Sequence, residues 1–203
     1  MRRILNNIGT KSRLALDHQI NTNKKNKVLN EYVKLIKKNK NIILKENKKD
    51  INQAIKRKLR DNLINRLILN EKNLSGIINS IKKIIKLKDP ANNIIEKWKR
   101  PNGLEFTKIS IPIGVIGMIY ESRPNVTSDV ASLCFKSGNP VILKGGTEAF
   151  YSNKILSNLF RKALKINKVD QNFVQFIDIK DRKVVNFLLT KMSNFIDVII
   201  PRG

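Results

Sequence analysis

The residues best suited to chemistry are gathered between positions 120 and 148, in YESRPNVTSDVASLCFKSGNPVILKGGTE. Arg123, Pro124 and Asn125 form a compact trio there, and Lys144 is followed by Gly145 and Gly146. An arginine can fork onto a phosphate or carboxylate. An asparagine amide can donate to a developing oxyanion. Turn geometry around Pro124 explains the same trio at least as well on pattern alone. In LKGGTE (143–148) a lysine ends an apolar run, and two glycines allow a tight turn and close approach of a ligand to the backbone. Thr147 or Glu148 then opens a helix, whose N-terminus favours anions. The alternative is a plain strand-to-helix turn with a solvated lysine. Neither GxGxxG nor GxxxxGK[ST] is present.

Cys134 is the chain's one cysteine and His18 its one histidine. Cys134 lies in VASLCFK on the apolar side of an expected helix, where a thiol behaves as a small hydrophobe. Its sequence neighbours offer nothing to stabilise a thiolate. His18, in LALDHQ, reads as solvated or capping. One Cys and one His cannot supply a zinc site.

The elements that must position these groups change character along the chain. Residues 1–100 read as helical. KVLNEYVKLIKKNKNII sets Val28, Tyr32, Leu35, Ile36 and Ile43 on one stripe, and NEKNLSGIINSIKKIIKLKD does the same for Leu74, Ile77, Ile78, Ile81, Ile84 and Ile85. Asn70 is a candidate N-cap, and KDP at 88–90 closes that helix. LEFTKISI (104–111) alternates and predicts a half-buried strand, paired with NIIEKWK as a hairpin. Residues 101–203 then alternate apolar strands (IGVIGMIY, PVILK, FVQFI, DVIIP) with amphipathic helices. The first of these helices is expected to be capped by Thr127, Ser128 or Asp129 and to stop at Gly138. This pattern predicts an α/β fold: a helical N-terminal region leading into a doubly wound parallel sheet, Rossmann-like, with ligands at the strands' carboxyl ends. The chain reaches Gly203 at such an end, and so reads as unfinished.

Lys and Arg number 41 against 16 Asp and Glu, a net charge of +25. Such an excess suits a nucleic-acid backbone. It equally suits a compositional drift in which Lys, Asn and Ile rise together on any fold. Only 6 % of residues are aromatic, which leaves few platforms for stacking bases. The reading is no specific nucleic acid, with a stand-alone basic binding module kept as the alternative function. A single cysteine, the absence of a secretory h-region and the absence of a membrane-length apolar run lead to a cytoplasmic expectation.

IPIGVIGMIYESRPNVTSDVASLCFKSGNPVILKGGTEAFYSN, with LKDP before it and DVIIPRG after it, resembles the gamma-glutamyl phosphate reductases. These are glutamate-5-semialdehyde dehydrogenases of proline biosynthesis, in the aldehyde dehydrogenase superfamily. The resemblance implies an NADP-binding domain of the aldehyde dehydrogenase type. It implies NADPH-dependent reduction of L-glutamyl 5-phosphate, through a cysteine thioester, to the semialdehyde with release of phosphate. By the same resemblance Lys144, Gly145 and Gly146 hold the adenosine ribose and its phosphate, and Arg202 and Gly203 face the pyrophosphate and nicotinamide. Asn125 matches the oxyanion asparagine, and Arg123 meets the substrate's phosphate or carboxylate. Strand 104–111 and its partner resemble a hairpin used for homo-oligomer formation. The family's nucleophilic cysteine lies in a separate catalytic domain, so Cys134 is not that residue. The chain then reads as the N-terminal part of the enzyme, inactive alone.

Overall fold

The computed structural model describes residues 1–121 and 123–202. Five helices come first: α1 (Arg2–Leu16), α2 (Thr22–Lys38), α3 (Lys40–Lys56), α4 (Asp61–Leu67) and α5 (Glu71–Lys86). A hairpin follows, β1 (Ile94–Lys99) and β2 (Glu105–Ile109). The rest is β3 (Ile116–Tyr120), α6 (Pro124–Lys136), β4 (Val141–Gly145), α7 (Phe150–Ile166), β5 (Val174–Phe176), α8 (Lys183–Lys191) and β6 (Val198–Arg202).

The second sheet is parallel, in the order β5-β4-β3-β6. The chain steps outward from β3 to β4 to β5, then returns to the far side of β3. The order therefore reverses between β3 and β6, and the crevice at such a reversal is where open α/β sheets bind ligands. Side chains alternate as strand geometry requires. Ile116, Met118, Tyr120, Val141 and Leu143 enter one large core with α2, α5, α6 and α7. Val115 and Ile142 enter a second core on the other face, with Leu5 of α1 and Val184 and Leu188 of α8. Helices thus cover both faces of β3 and β4, which explains their continuous apolar runs, whereas β6 at the sheet edge is largely exposed despite its apolar sequence.

Local chemistry sets the element boundaries. Asn21 and Asn70 cap α2 and α5, their side-chain oxygens accepting from the N–H groups of Lys24 and Asn73 at 2.9 and 2.8 Å. The single stripe expected through Ile43 is broken at Asn39. Its backbone and side-chain nitrogens both donate to Leu35 O, at 2.9 and 2.7 Å, ending α2. Its own carbonyl accepts from Ile43 N at 3.0 Å, starting α3. Ile43 is still fully buried, but from a different helix. α6 begins at Pro124 rather than at a cap among Thr127, Ser128 and Asp129. Proline's fixed φ and missing N–H suit the first helical position, and Thr127 and Ser128 spend their hydroxyls inside the core. Tyr32 shows how: its hydroxyl lies 2.7 Å from Ser128 Oγ and donates to Leu156 O at 3.2 Å, tying α2 to α6 and α7.

The hairpin differs from expectation. β1 and β2 pair antiparallel as predicted, but every residue of both strands is exposed, not half-buried. Trp98 and Phe106 stack at 5.2 Å, and Ile94, Ile95, Leu104 and Ile109 face solvent. Alternation marked an apolar face without saying what covers it. No helix among the described residues is long and apolar enough to cross a membrane.

Candidate functional site

The carboxyl ends of β3, β4 and β6 meet at one crevice, which straddles the sheet edge. On the α8 side a pocket of about 880 Å³ is lined by Lys144, Gly145, Gly146, Glu148, Lys180 and Arg182, among others. On the α6 side a smaller pocket of about 330 Å³ is lined by Arg66, Arg123, Val126 and Glu121. Leu63, Tyr120, Glu121 and Arg202 border both, so the two are continuous.

Lys144 ends β4 with its side chain on the face of Ile142. It is 6 % exposed, and its Nζ donates to the Gly145 carbonyl at 2.9 Å. Burial lowers the amine's pKa from its ordinary value, and the Glu148 carboxylate opposes that shift. Among the described residues the ammonium has one acceptor, leaving donors for a ligand. Gly145 falls on the opposite face. A Cβ there would lie 2.4 Å from Asn153 Nδ2 and 3.1 Å from the Tyr120 ring. A side chain at this position would collide with the protein's own buried groups, so the glycine is required by packing as well as lying on the pocket lining. Gly146 is the open one: only the end of the Glu148 side chain would meet a Cβ closely, at 2.6 Å. Its N–H donates to Tyr120 O at 2.8 Å, binding the turn to the end of β3.

The helix after this turn is not an open anion site. Thr147–Ala149 form one 3-10 turn, and α7 starts only at Phe150. Its first free N–H groups are already occupied. Asp50 of α3 accepts from Tyr151 N at 3.0 Å, and from Ser152 N and Ser152 Oγ at 2.8 and 2.7 Å. Burial raises the Asp50 carboxyl against the opposing effect of those bonds. A carboxylate supplied from within does what a bound phosphate does at other helix N-termini.

Arg123 is the exposed N-cap residue of α6, its N–H donating to Glu121 O at 2.7 Å. It lines the smaller pocket with Arg202, whose backbone is paired to Tyr120. Asn125 is exposed on the first turn of α6, and its amide donates to Asp129 Oδ2 at 3.2 Å. It borders a different groove, beside Asn73 and Ile77 of α5, and lines neither half of the crevice. Gly203 lies outside the described residues. Sequence reasoning singled out none of Arg60, Arg66, Lys180 and Arg182. The first two sit among helices far upstream, and nothing local marks them.

Cys134 is 8 % exposed inside α6, and burial pushes its thiol up to about 12. It is a core residue. Native protein treated with iodoacetamide at pH 8 should leave Cys134 unmodified, and peptide mass mapping checks this. Rapid alkylation before unfolding would contradict its burial. His18 is exposed just beyond α1, its N–H bonded to Ala15 O at 3.2 Å. No group of three or more metal-ligating side chains occurs among the described residues.

A probable aldehyde dehydrogenase from Listeria monocytogenes superposes with TM-score 0.70 at 11 % identity, over 97 % of this chain and 41 % of that one. That likeness defines the fold as the aldehyde dehydrogenase type. No family model matches the chain. The crystal structure of gamma-glutamyl phosphate reductase from Thermotoga maritima superposes with TM-score 0.95 at 36 % identity, over 98 % of this chain and 48 % of that one. The gamma-glutamyl phosphate reductase of Dictyoglomus thermophilum is 45 % identical over 184 residues, 91 % of this chain and 44 % of its own length. The chain is homologous to gamma-glutamyl phosphate reductase and spans less than half the length of these relatives.

Proposed function

We propose that the chain is the nucleotide-binding portion of a protein that reduces L-glutamyl 5-phosphate to L-glutamate 5-semialdehyde, releasing phosphate, in proline biosynthesis. The observation that carries this reading is the crevice at the reversal of strand order, with Lys144 buried at its base, in a chain closely similar to gamma-glutamyl phosphate reductases. The residues present suit a nicotinamide dinucleotide. Gly146 leaves its side of the turn open, Glu148 offers a carboxylate to ribose hydroxyls, and Lys144 retains free donors. Arg60, Lys144, Lys180, Arg182 and Arg202 outnumber Glu121 and Glu148 around the larger pocket, which favours the additional phosphate of NADP. When bound, that cofactor supplies the hydride. Lys144, Gly146 and Arg202 bind and orient it, with Arg123 toward the substrate's anionic end. The oxyanion role of Asn125 requires its amide to leave Asp129. Cys134 is buried and protonated at neutral pH, so the nucleophilic thiol comes from sequence other than residues 1–203, and this portion alone has no turnover.

The exposed apolar hairpin supports a homo-oligomer in which a partner copy covers Trp98, Phe106 and their neighbours. A cytoplasmic location agrees with the class of reaction. In the full-length protein, Lys144→Ala should raise the apparent KM for NADP about tenfold or more, the loss of one charge-assisted contact, with a smaller fall in kcat. Steady-state assay in the phosphate-dependent direction, with semialdehyde and NADP, measures both. An unchanged KM removes Lys144 from the cofactor site.

A further inference from the structure

The smaller half of the crevice has a charged lining of its own. Three arginines line it, from three separate parts of the fold: Arg66 from α4, Arg123 at the start of α6 and Arg202 from β6. No ion pair among the described residues involves any of them. Among the described residues the one carboxylate on the lining is that of Glu121, so the described lining has a cationic excess. Like charges brought together repel, and an anion between them removes that cost.

Their backbones are fixed even though their side chains reach solvent. Arg66 precedes Leu67, whose carbonyl accepts from the buried Asn47 amide at 2.8 Å. Asn47 also accepts from Leu69 N and donates to Ser152 Oγ, pinning α4 to α3 and α7. Arg123 is held by its 2.7 Å bond to Glu121 O and by Pro124 behind it. Arg202 O accepts from Glu121 N at 3.2 Å, which ties the end of β6 to the same residue. The floor is apolar, formed by Leu63, Val126 and the buried Tyr120. Such a floor strengthens a charge-assisted bond above it.

The choice of cation is informative. The chain has 30 lysines and 11 arginines, yet all three cations on this pocket are arginines. Lysine supplies the same charge. Only arginine supplies a rigid planar fork that matches two oxygens of one anion.

We infer that Arg66, Arg123 and Arg202 form a phosphoryl-anion subsite beside the nucleotide pocket, able to hold a phosphate group while a dinucleotide occupies the larger half. The subsite itself rests on the three arginines that line one pocket. Its identification as the place of the substrate's phosphoryl group rests on the reading under Proposed function.

The probe is inorganic phosphate, titrated calorimetrically into the full-length protein with and without saturating NADPH. Arg66 and Arg123 line only the smaller pocket, so they separate the two halves. The expected result is that Arg66→Gln and Arg123→Gln each weaken phosphate binding about tenfold or more, consistent with loss of a forked contact. Arg123→Lys should restore only part of it, and the NADPH dissociation constant should move less than twofold. Both replaced side chains are exposed, so thermal melting of the variants should match the parent. Phosphate affinity unchanged in both variants overturns the proposal. So does competition between phosphate and NADPH with parallel weakening of both, which assigns the arginines to the cofactor's pyrophosphate. So does tighter binding of glutarate than of phosphate, which makes the pocket a carboxylate site. Arginine-dependent phosphate binding in a protein that fails to bind NADPH supports the subsite while the nucleotide reading fails.

Discussion

Asp89→Ala should destabilise the protein by about 3–5 kcal/mol, the loss measured when one partner of a buried ion pair is removed. Lys25 is 2 % exposed in α2, and its Nζ meets both oxygens of Asp89 at 2.8 and 3.1 Å. Asp89 also accepts from Thr22 Oγ1 at 3.0 Å and Ala91 N at 3.1 Å. The carboxylate thus ties α2 to the segment between α5 and the hairpin. Without it the Lys25 ammonium is left in the core with no carboxylate. Lys136 adds to the cost: its ammonium, held by Asn26 Oδ1 and Ile85 O at 2.7 and 3.1 Å, is a second cation that Lys25 repels and Asp89 attracts. Asp89→Asn keeps part of the bonding but not the charge, and should fall between parent and alanine variant.

The same pair predicts an acid limb in stability. Burial pushes the Asp89 carboxyl up. The bonds from Lys25, Ala91 and Thr22 outweigh burial and hold its pKa below the ordinary value. A depressed acid pKa adds stability that is complete above the unfolded value of about 3.9, and is lost as pH falls through the folded value. Denaturant melts from pH 7 downward should therefore show less acid loss in Asp89→Asn than in the parent. Equal acid limbs would mean that other carboxylates carry the effect, and a cost under 1 kcal/mol for Asp89→Ala would mean that Lys25 reaches water.

Gly114→Ala should cost about 2–4 kcal/mol, combining backbone strain with a displaced hydrogen bond. Gly114 has φ +130°, a region that side-chain-bearing residues rarely enter, and an added Cβ would fall 2.0 Å from Asp197 Oδ2. That carboxylate accepts from Val115 N at 2.7 Å and pairs with both guanidinium nitrogens of Arg13 at 2.7 Å. It joins the start of β3, the start of β6 and α1. Shifting it moves β6, which ends in Arg202, so binding in the crevice should weaken along with stability. Chemical denaturation beside a phosphate or NADPH titration reads both. Full stability with weakened binding would mean that Asp197 adapts and only the strand register is disturbed.

Much of this was legible in the residues. Apolar runs between amphipathic helices gave the parallel sheet: β3 and β4 are buried on both faces and have no polar positions to alternate, while β6 is equally apolar but largely exposed. Asn70 was legible as a cap, since a short side chain reaching the N–H three residues on is a local event. Lys144 was legible because a lysine that ends a buried strand must place its amine at the sheet edge, where α/β folds bind ligands. Cys134 was legible as core from its helical face.

Other features depended on contacts across the chain. The helix N-terminus after Gly146 looked open in sequence, and Asp50, about a hundred residues upstream, fills it. Gly145 stood out in sequence as a site for close ligand approach, and the packing of Asn153 and Tyr120 against it is a further demand that only the fold shows. The hairpin's alternation was real, but exposure depends on what stands opposite, and among the described residues nothing does. The gathering of Arg66, Arg123 and Arg202 has no signature in sequence. Local periodicity and turn chemistry act over a few residues, so the chain itself determined its elements, its fold class and the strand end that carries Lys144. Which charges face one another across the crevice is set by how α4 packs on α3 and α7, and by the return of β6 to the far side of β3. Those are long-range packing outcomes, and only the tertiary structure decided them.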